Sequence, residues 1–234
     1  PDLATLNILV DGVDQTSLFV KSSDEASVDG QISLLDGFHT LRAGIKDQAG
    51  NLGVANRTFR IDATDPILAT LGPAPAAILK VTRPLIRISF ADDGVLAAGL
   101  DLDSLSVLLD GEDITSALTL SPAEAIGLPP APLGNGPHRL ETSVADLAGN
   151  LTSISSVFTI DTIPPILTAV SPTPGQVLGA SSVDLAVQYS DNQELNLDSF
   201  AAAVDGSPAT ILVDADTAFG TVTGLFDGSH TLLL

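Results

Sequence analysis

The chain has 234 residues and a net charge of −20, from 29 acidic and 9 basic side chains, and it contains no cysteine. Disulfide bonds are therefore excluded, and so acidic a surface repels nucleic acid and anionic lipid. Because 44% of the residues are hydrophobic the chain is too apolar to be disordered, but with 4% aromatic residues its cores must be aliphatic. No apolar stretch is long enough to span a bilayer, and the lack of thiols favours an exported protein.

The chain carries an internal repeat. Residues 39–66 and 138–165 both start with histidine, continue with Asp-x-Ala-Gly-Asn and Phe-x-Ile-Asp, and end with proline. Equivalent residues lie 99 positions apart, as Asp47 and Asp146 do (146 − 47 = 99). A third copy begins at Asp227. A fixed offset of about one domain length indicates tandem domains of one fold.

The stretch from residue 66 to residue 160 predicts seven short strands from apolar alternation bounded by Gly, Pro, Asn and Asp. The strands are expected at 66–71, 85–90, 105–109, 116–120, 125–128, around 140–144, and at 151–160. An acidic loop, 91–103, separates the second strand from the third, and Ala148-Gly149-Asn150 forms the last turn. Seven strands without an amphipathic helix predict a β-sandwich. The side chains expected to face inward are those of Ile86, Ile88, Phe90, Leu140, Val144 and Phe158.

The register of the repeat predicts three domains. The first repeat, residues 1–62, lacks the first two strands, and the second repeat, residues 63–161, has all seven. The third repeat, residues 162–234, lacks the closing hairpin. We therefore expect the chain to be a segment of a longer protein.

The motif from His138 to Pro165, together with Leu-Leu-Asp-Gly at 108–111, resembles the bacterial immunoglobulin-like repeats of large surface proteins and adhesins. The resemblance covers all three repeats. It implies an all-β chain of tandem immunoglobulin-like β-sandwich domains, one complete and two partial. Repeats of this family typically form extended stalks, and many bind calcium at their junctions, although a shared fold does not transfer a specific function.

Acidic residues gather at the predicted junction between the first and second repeats. In a sandwich of this kind the loop between strands two and three, the turn between strands six and seven, and the incoming linker lie at one end. Calcium takes six to eight oxygen ligands, which carboxylates and carbonyls at such a loop cluster supply. The candidate ligands are Asp62, Asp65, Asp92, Asp93, Asp101, Asp103 and Asp146.

The next junction offers a second and weaker set, since Pro164 stands where the first junction has Asp65. Its candidate ligands are Asp161, Asp191, Glu194 and Asp198. The alternative for both sets is that Asp146 only caps its own turn and the other acids are solvated.

The three histidines cannot form one zinc site, because His39, His138 and His230 belong to different repeats. The expected role of each is to start a strand, by packing on the sheet or by bonding a neighbouring carbonyl. Nucleophile motifs and phosphate-binding loops are missing, and adjacent carboxylates such as Asp92 and Asp93 are more often solvated or metal-bound than catalytic. The sequence therefore predicts a chain that is not an enzyme.

Three functions are consistent with these features. The first is a stalk segment of an exported bacterial protein, extracellular or on the cell surface, stiffened by calcium and contacting neighbouring repeats of the same chain. The second is a module that binds a cell-surface glycan or protein, for which exposed aromatic side chains would be the signal; Tyr189 is alone among Tyr and Trp. The third is an accessory domain attached to an enzyme.

Overall fold

The structure, a computed structural model, describes residues 1–30, 32–94 and 96–234. Gln31 lies outside the described residues, and so does Val95 of the expected acidic loop. The chain divides into two compact units, Pro1–Ile160 and Asp161–Leu234. The boundary predicted between residues 62 and 63 falls inside the first unit and stays a prediction.

The first repeat contributes one antiparallel sheet and a small separate ladder. Its elements are β1 (Asp2–Val10), β2 (Val13–Asp14), a 3-10 helix (Thr16–Leu18), β3 (Val20–Lys21), β4 (Ala26–Ser27), β5 (Gly37–Lys46) and β6 (Leu52–Ile61). The sheet has the strand order β2-β1-β5-β6, and β3 pairs with β4. A groove of about 400 Å³ lies on this sheet, lined in part by Leu6, Ile8 and Leu41.

The second repeat forms two sheets. Its elements are β7 (Ile67–Gly72), β8 (Ile78–Leu79), β9 (Ile86–Ala91), β10 (Leu100–Leu109), β11 (Glu112–Asp113), a 3-10 helix (Thr115–Ala117), β12 (Leu118–Leu120), β13 (Glu124–Gly127), β14 (Gly136–Asp146) and β15 (Leu151–Ile160). One sheet has the order β11-β10-β14-β15-β8 and the other β12-β13-β9-β7. Pairing is antiparallel apart from the short parallel contact of β15 with β8.

The core of the second repeat lies between these sheets. Every second residue of β9 points inward, and the same period holds along β14 and the end of β15. The six side chains expected to face inward are all buried, none being more than 2% exposed. Residues of β10, among them Val107 and Leu109, complete the same cluster. The chain is thus an all-β protein with immunoglobulin-like β-sandwich architecture, as predicted.

Several strand boundaries differ from the prediction, and two of the differences have a clear cause in the pairing. Strand β10 begins at Leu100 rather than at residue 105, because its pairing with β14 continues on the far side of a bulge. Asp101 pairs opposite Ala145 before the bulge, so Asp101 and Asp103 lie in a strand and not in the loop. The fourth strand is also shorter than expected, because Thr115–Ala117 forms a 3-10 turn before Leu118 begins to pair.

The second compact unit contains the third repeat. Its elements are β16 (Ile166–Ser171), β17 (Ser182–Ser190), a 3-10 helix (Leu197–Ser199), β18 (Ala203–Val204), β19 (Ser207–Pro208), β20 (Leu212–Val213), β21 (Thr217–Thr223) and β22 (Leu232–Leu233). Its sheets have the orders β16-β17-β21-β20 and β19-β18-β22. Alternate residues of β17 point inward and form two small clusters, one around Leu185 and one around Val187 and Tyr189. No helix in the described residues is long and apolar enough to cross a membrane.

Candidate metal centre

The turn that joins β14 to β15 holds the carboxylate of Asp146 in a fixed place. Gly149 adopts a φ of 96°, a left-handed conformation that glycine tolerates best. The tight turn that results aims the backbone N–H groups of Ala148 and Asn150 at Oδ1 of Asp146, at 2.9 and 2.8 Å. The side-chain amide of Asn150 donates to Oδ2 at 2.7 Å. Asp146 is only 2% exposed, and its carboxylate is held by its own turn.

The first repeat contains the same turn. Oδ1 of Asp47 accepts hydrogen bonds from the N–H groups of Ala49 and Asn51, both at 2.8 Å, and its Oδ2 accepts one from the Asn51 amide at 2.8 Å. Here Asp47 is exposed. The Asp-x-Ala-Gly-Asn motif therefore forms the same turn in both repeats, with the aspartate bonded to the turn as the capping alternative expects. The two copies differ in burial, because Asp146 is buried and Asp47 is exposed.

The linker between the first two repeats reaches the Asp146 turn. The amide of Asn150 donates also to the backbone carbonyls of Asp62 and Thr64, at 3.1 and 3.3 Å. The hydroxyl of Thr152 donates to the carbonyl of Pro66 at 2.5 Å. The side chain of Asp62 accepts hydrogen bonds from the N–H groups of Thr64, at 3.2 Å, and of Ala98.

The acidic loop brings in a third carboxylate. Oδ2 of Asp92 accepts the N–H of Gly99 at 2.6 Å, and the carbonyl of Gly99 accepts the N–H of Leu147 at 2.8 Å, so the loop is bonded to the turn. Oδ1 of Asp92 is buried and has no hydrogen-bond partner among the described residues. A buried carboxylate oxygen without a donor is costly, and a bound cation or water would offset this cost.

Asp62, Asp92 and Asp146 form one cluster, which we call the aspartate trio. One carboxylate oxygen of each lies within 4.8 Å of those of the other two. Among the residues that the structure describes, this is the one such group of three. Three negative charges at this spacing repel one another strongly unless a cation or protons neutralise them.

Protonation does not relieve the charge on Asp146. Burial raises the pKa of this carboxyl, but the hydrogen bonds from the Asn150 side chain and from the backbone N–H groups of residues 148–150 outweigh that effect. Its pKa therefore lies below the ordinary value, and Asp146 is ionised at neutral pH. Each oxygen of a carboxylate accepts more than one hydrogen bond or ligand, so the trio keeps free acceptor positions.

The other four acids expected at this junction lie outside the trio. Asp65, Asp93 and Asp103 are exposed, and Asp101 is half-buried in β10, where its Oδ1 accepts the N–H of Asp103 at 3.2 Å. The bulge in β10 places Asp101 and Asp103 on the strand rather than beside the turn.

The second candidate set lies in the second compact unit. Oδ1 of Asp161 accepts hydrogen bonds from the N–H of Ile163 at 3.1 Å and from the amide of Asn192 at 3.3 Å. Asp191 resembles Asp92, because its Oδ1 is buried without a partner among the described residues. Glu194 and Asp198 are exposed, and the described part of this unit holds no group of three acids.

Sequence reasoning missed a residue that holds the linker from the side of the first repeat. Asp36 accepts hydrogen bonds from the N–H of Ala63 at 3.0 Å and from the hydroxyl of Thr64 at 2.6 Å. Arg60 donates twice to the carbonyl of Leu96, at 2.6 and 3.2 Å. No local motif predicts these contacts, since Asp36 lies before the repeated stretch 39–66 and Arg60 occupies the variable position of its Phe-x-Ile-Asp motif.

Comparisons with known proteins give no family for the chain. No family model and no curated protein matches it. Among solved structures it is similar to the fibronectin(III)-like modules of Clostridium thermocellum CbhA, with 14% identity, 71% of this chain and 83% of that chain covered, and a TM-score of 0.40.

Two further solved structures are longer than this chain. Sidekick-1 immunoglobulin domains 1–5 match with 11% identity, 97% of this chain and 52% of that chain, and a TM-score of 0.34. Bacteroides ovatus SGBP-B, in complex with a mixed-linkage heptasaccharide, matches with 16% identity, 97% and 53% coverage, and a TM-score of 0.23. The chain spans about half the length of either. These likenesses carry no functional assignment.

Proposed function

We propose that the chain is a structural segment of an exported bacterial surface or adhesin-type protein, and that calcium stiffens its first junction. The aspartate trio carries the calcium part of this proposal. Its three members come from the linker, the acidic loop and the hairpin turn, so a single cation would join the end of the first repeat to two loops of the second. Bound calcium would neutralise the trio and hold these segments together.

The donor set fits calcium better than other common metals. It consists of carboxylate oxygens, with backbone carbonyls of the linker close by, and the chain has no thiol ligands. Hard oxygen donors without imidazole or thiolate suit Ca²⁺ and Mg²⁺ rather than zinc or copper. Magnesium is expected to substitute poorly, because it requires a tighter octahedral shell.

The one Tyr or Trp side chain does not support glycan binding, although Phe38 and Phe226 are exposed, at 69% and 88%. Tyr189, the one residue of the Tyr and Trp class, is 6% exposed, and its hydroxyl donates to the carbonyl of Thr217 at 2.9 Å and to that of Asp214. It is therefore not available to stack on a sugar. A net charge of −20 makes neighbouring chains repel one another, which suits an extended extracellular segment.

A melting experiment tests the calcium site. Thermal unfolding of the full chain is measured in calcium and in EDTA at matched ionic strength. A ligand that binds only the folded state stabilises it by about 2.7 kcal/mol at 100 times its Kd, so calcium should raise Tm. The variant Asp92→Asn should remove this response, and Asp93→Asn, which changes an exposed neighbour, should keep it.

The two equivalent turns supply the matched control. Asp146→Asn and Asp47→Asn both remove a carboxylate that bonds its own turn, so both should destabilise the protein. Only Asp146→Asn should also remove the calcium response. Coincident melts in calcium and EDTA would overturn the calcium site and leave Asp146 as the cap of its own turn.

A further inference from the structure

Each histidine of this protein joins two segments of its repeat. In the second repeat Nδ1 of His138 lies 2.7 Å from Oδ2 of Asp110, and Nε2 lies 2.9 Å from the carbonyl oxygen of Gly134. The other carboxylate oxygen of Asp110 accepts the N–H of Arg139 at 2.8 Å. One imidazole therefore connects the Asp-Gly turn after β10 to the loop before β14.

The same arrangement recurs in the other two repeats. In each of them Nδ1 faces an aspartate of an Asp-Gly turn, and Nε2 faces a backbone carbonyl four residues before the histidine. The partners are Asp11 and Leu35 for His39, at 2.6 and 2.7 Å, and Asp205 and Phe226 for His230, at 2.6 and 2.8 Å. Three copies of one geometry show that it belongs to the repeat and not to one local environment.

This geometry determines the protonation state of the ring. A carbonyl oxygen and an ionised carboxylate only accept hydrogen bonds, so both ring nitrogens must donate. An imidazole has two N–H groups only in its charged form. A neutral ring would direct a nitrogen lone pair at an oxygen less than 3 Å away and would lose one of the two connections.

The aspartate in each pair occupies a backbone conformation that costs energy. Asp11, Asp110 and Asp205 have φ values of 50°, 53° and 50°, in the left-handed region. A non-glycine residue there is strained and is kept by compensating bonds. The aspartate accepts hydrogen bonds from the histidine ring and from the backbone N–H of the residue after the histidine, and these bonds supply the compensation. The protonation state of the ring therefore affects the Asp-Gly turn as well.

Among the residues that the structure describes, the charged group that interacts with each ring is its own aspartate. In the second repeat Phe158 packs beside His138, with 5.7 Å between ring centroids, and Arg139 directs its guanidinium to Glu141 at 2.8 Å. In the first repeat Phe59 packs beside His39 at 5.6 Å, and Arg60 lies over the ring of Phe38. The aspartates that face the three rings are Asp110, Asp11 and Asp205.

We propose that these histidines are proton-dependent clamps, one in each repeat, which make the repeats more stable in mildly acidic than in mildly alkaline surroundings. Because the clamp recurs in every repeat, a single change of pH acts on all of them together. The effect of one weak clamp would then be summed along the chain.

The expected direction follows from the ring pKa values. The bond to Asp11, followed by that to the Leu35 carbonyl, raises the pKa of His39, and the corresponding partners raise the pKa of His230. Burial lowers the pKa of His138, but its two hydrogen bonds outweigh this effect and raise it overall. A group whose pKa is higher in the folded state contributes stability that is complete below its unfolded pKa, about 6.5, and is lost as pH rises through its folded pKa.

The composition of the chain makes the contribution of the histidines to the pH dependence of stability measurable. Histidine is the side chain that ordinarily titrates between pH 5 and 8, and this chain has three histidines and no cysteine. We expect the Tm of the full chain to fall as pH rises through the folded histidine pKa values. The triple variant His39→Gln, His138→Gln and His230→Gln should melt lower at acidic pH and lose this dependence, because glutamine does not titrate. An equal dependence of Tm on pH in the triple variant and the unchanged chain would overturn the proposal.

A direct titration keeps the proposal testable if the triple variant fails to fold. Nuclear magnetic resonance of the histidine side chains in the unchanged chain should give three titration midpoints above about 6.5, with both ring nitrogens protonated at pH values below each midpoint. Asp110→Asn should lower the His138 midpoint by about 1 pH unit and leave those of His39 and His230 in place. Midpoints at or below 6.5, or an Asp110→Asn variant that leaves His138 unmoved, would contradict the clamp.

Discussion

The side-chain nitrogen of Asn150 lies 3.1 Å from the carbonyl oxygen of Asp62, a residue 88 positions earlier in the chain. The same nitrogen lies 2.7 Å from Oδ2 of Asp146. One amide therefore connects the turn of the second repeat to the linker that enters it. The corresponding amide of Asn51 bonds Asp47 in its own turn.

This difference predicts unequal effects of one substitution at the two equivalent positions. Asn150→Ala should cost about 1.5–3 kcal/mol, because a half-buried hydrogen bond to a charged carboxylate is lost together with the linker contacts. Asn51→Ala should cost about 0.5–1.5 kcal/mol, because its turn is exposed. Amide hydrogen exchange of residues 62–66 should accelerate in the first variant alone. Similar exchange in both would show that the linker does not depend on Asn150.

The core of the second repeat should depend on the inward face of β15. Phe158 is 1% exposed, whereas its neighbour Val157 is 48% exposed on the other face. Phe158→Ala should destabilise the second repeat by about 3–5 kcal/mol, since it leaves a cavity in a close-packed cluster. Val157→Ala should cost less than about 1 kcal/mol and serves as the control. Chemical denaturation compares the two, and a small loss for Phe158→Ala would contradict the sandwich core.

The two equivalent hairpins should differ in hydrogen exchange. Strands β6 and β15 pair along their whole length with β5 and β14, and both start directly after an Asp-x-Ala-Gly-Asn turn. In β15 alternate residues near the end are buried, whereas β6 is exposed as far as the half-buried Ile61. We expect amides of β6 to exchange about ten-fold faster or more, because few apolar contacts resist local opening. Equal protection would mean that the first repeat is as well covered as the second.

The sequence alone was sufficient where local physics decides the structure. Alternation at Ile86, Ile88 and Phe90 predicted a strand with one buried face, because a strand places successive side chains on opposite sides. The Asp-x-Ala-Gly-Asn motif predicted a turn, because Gly149 accepts the left-handed conformation that the turn requires. The constant offset of 99 residues predicted that such features recur, and the Asp47 and Asp146 turns do so bond for bond.

Only the tertiary structure decided which polar side chains meet. Seven acids were equivalent candidates by sequence, but a bulge in β10 placed Asp101 and Asp103 on a strand, and the bond from Leu147 to Gly99 brought Asp92 to the turn. The aspartate partners of the histidines were likewise beyond the sequence, since each carboxylate comes from an Asp-Gly turn in a distant segment. Strand period and turn conformation are properties of neighbouring residues, whereas a cluster of charges depends on how distant segments dock.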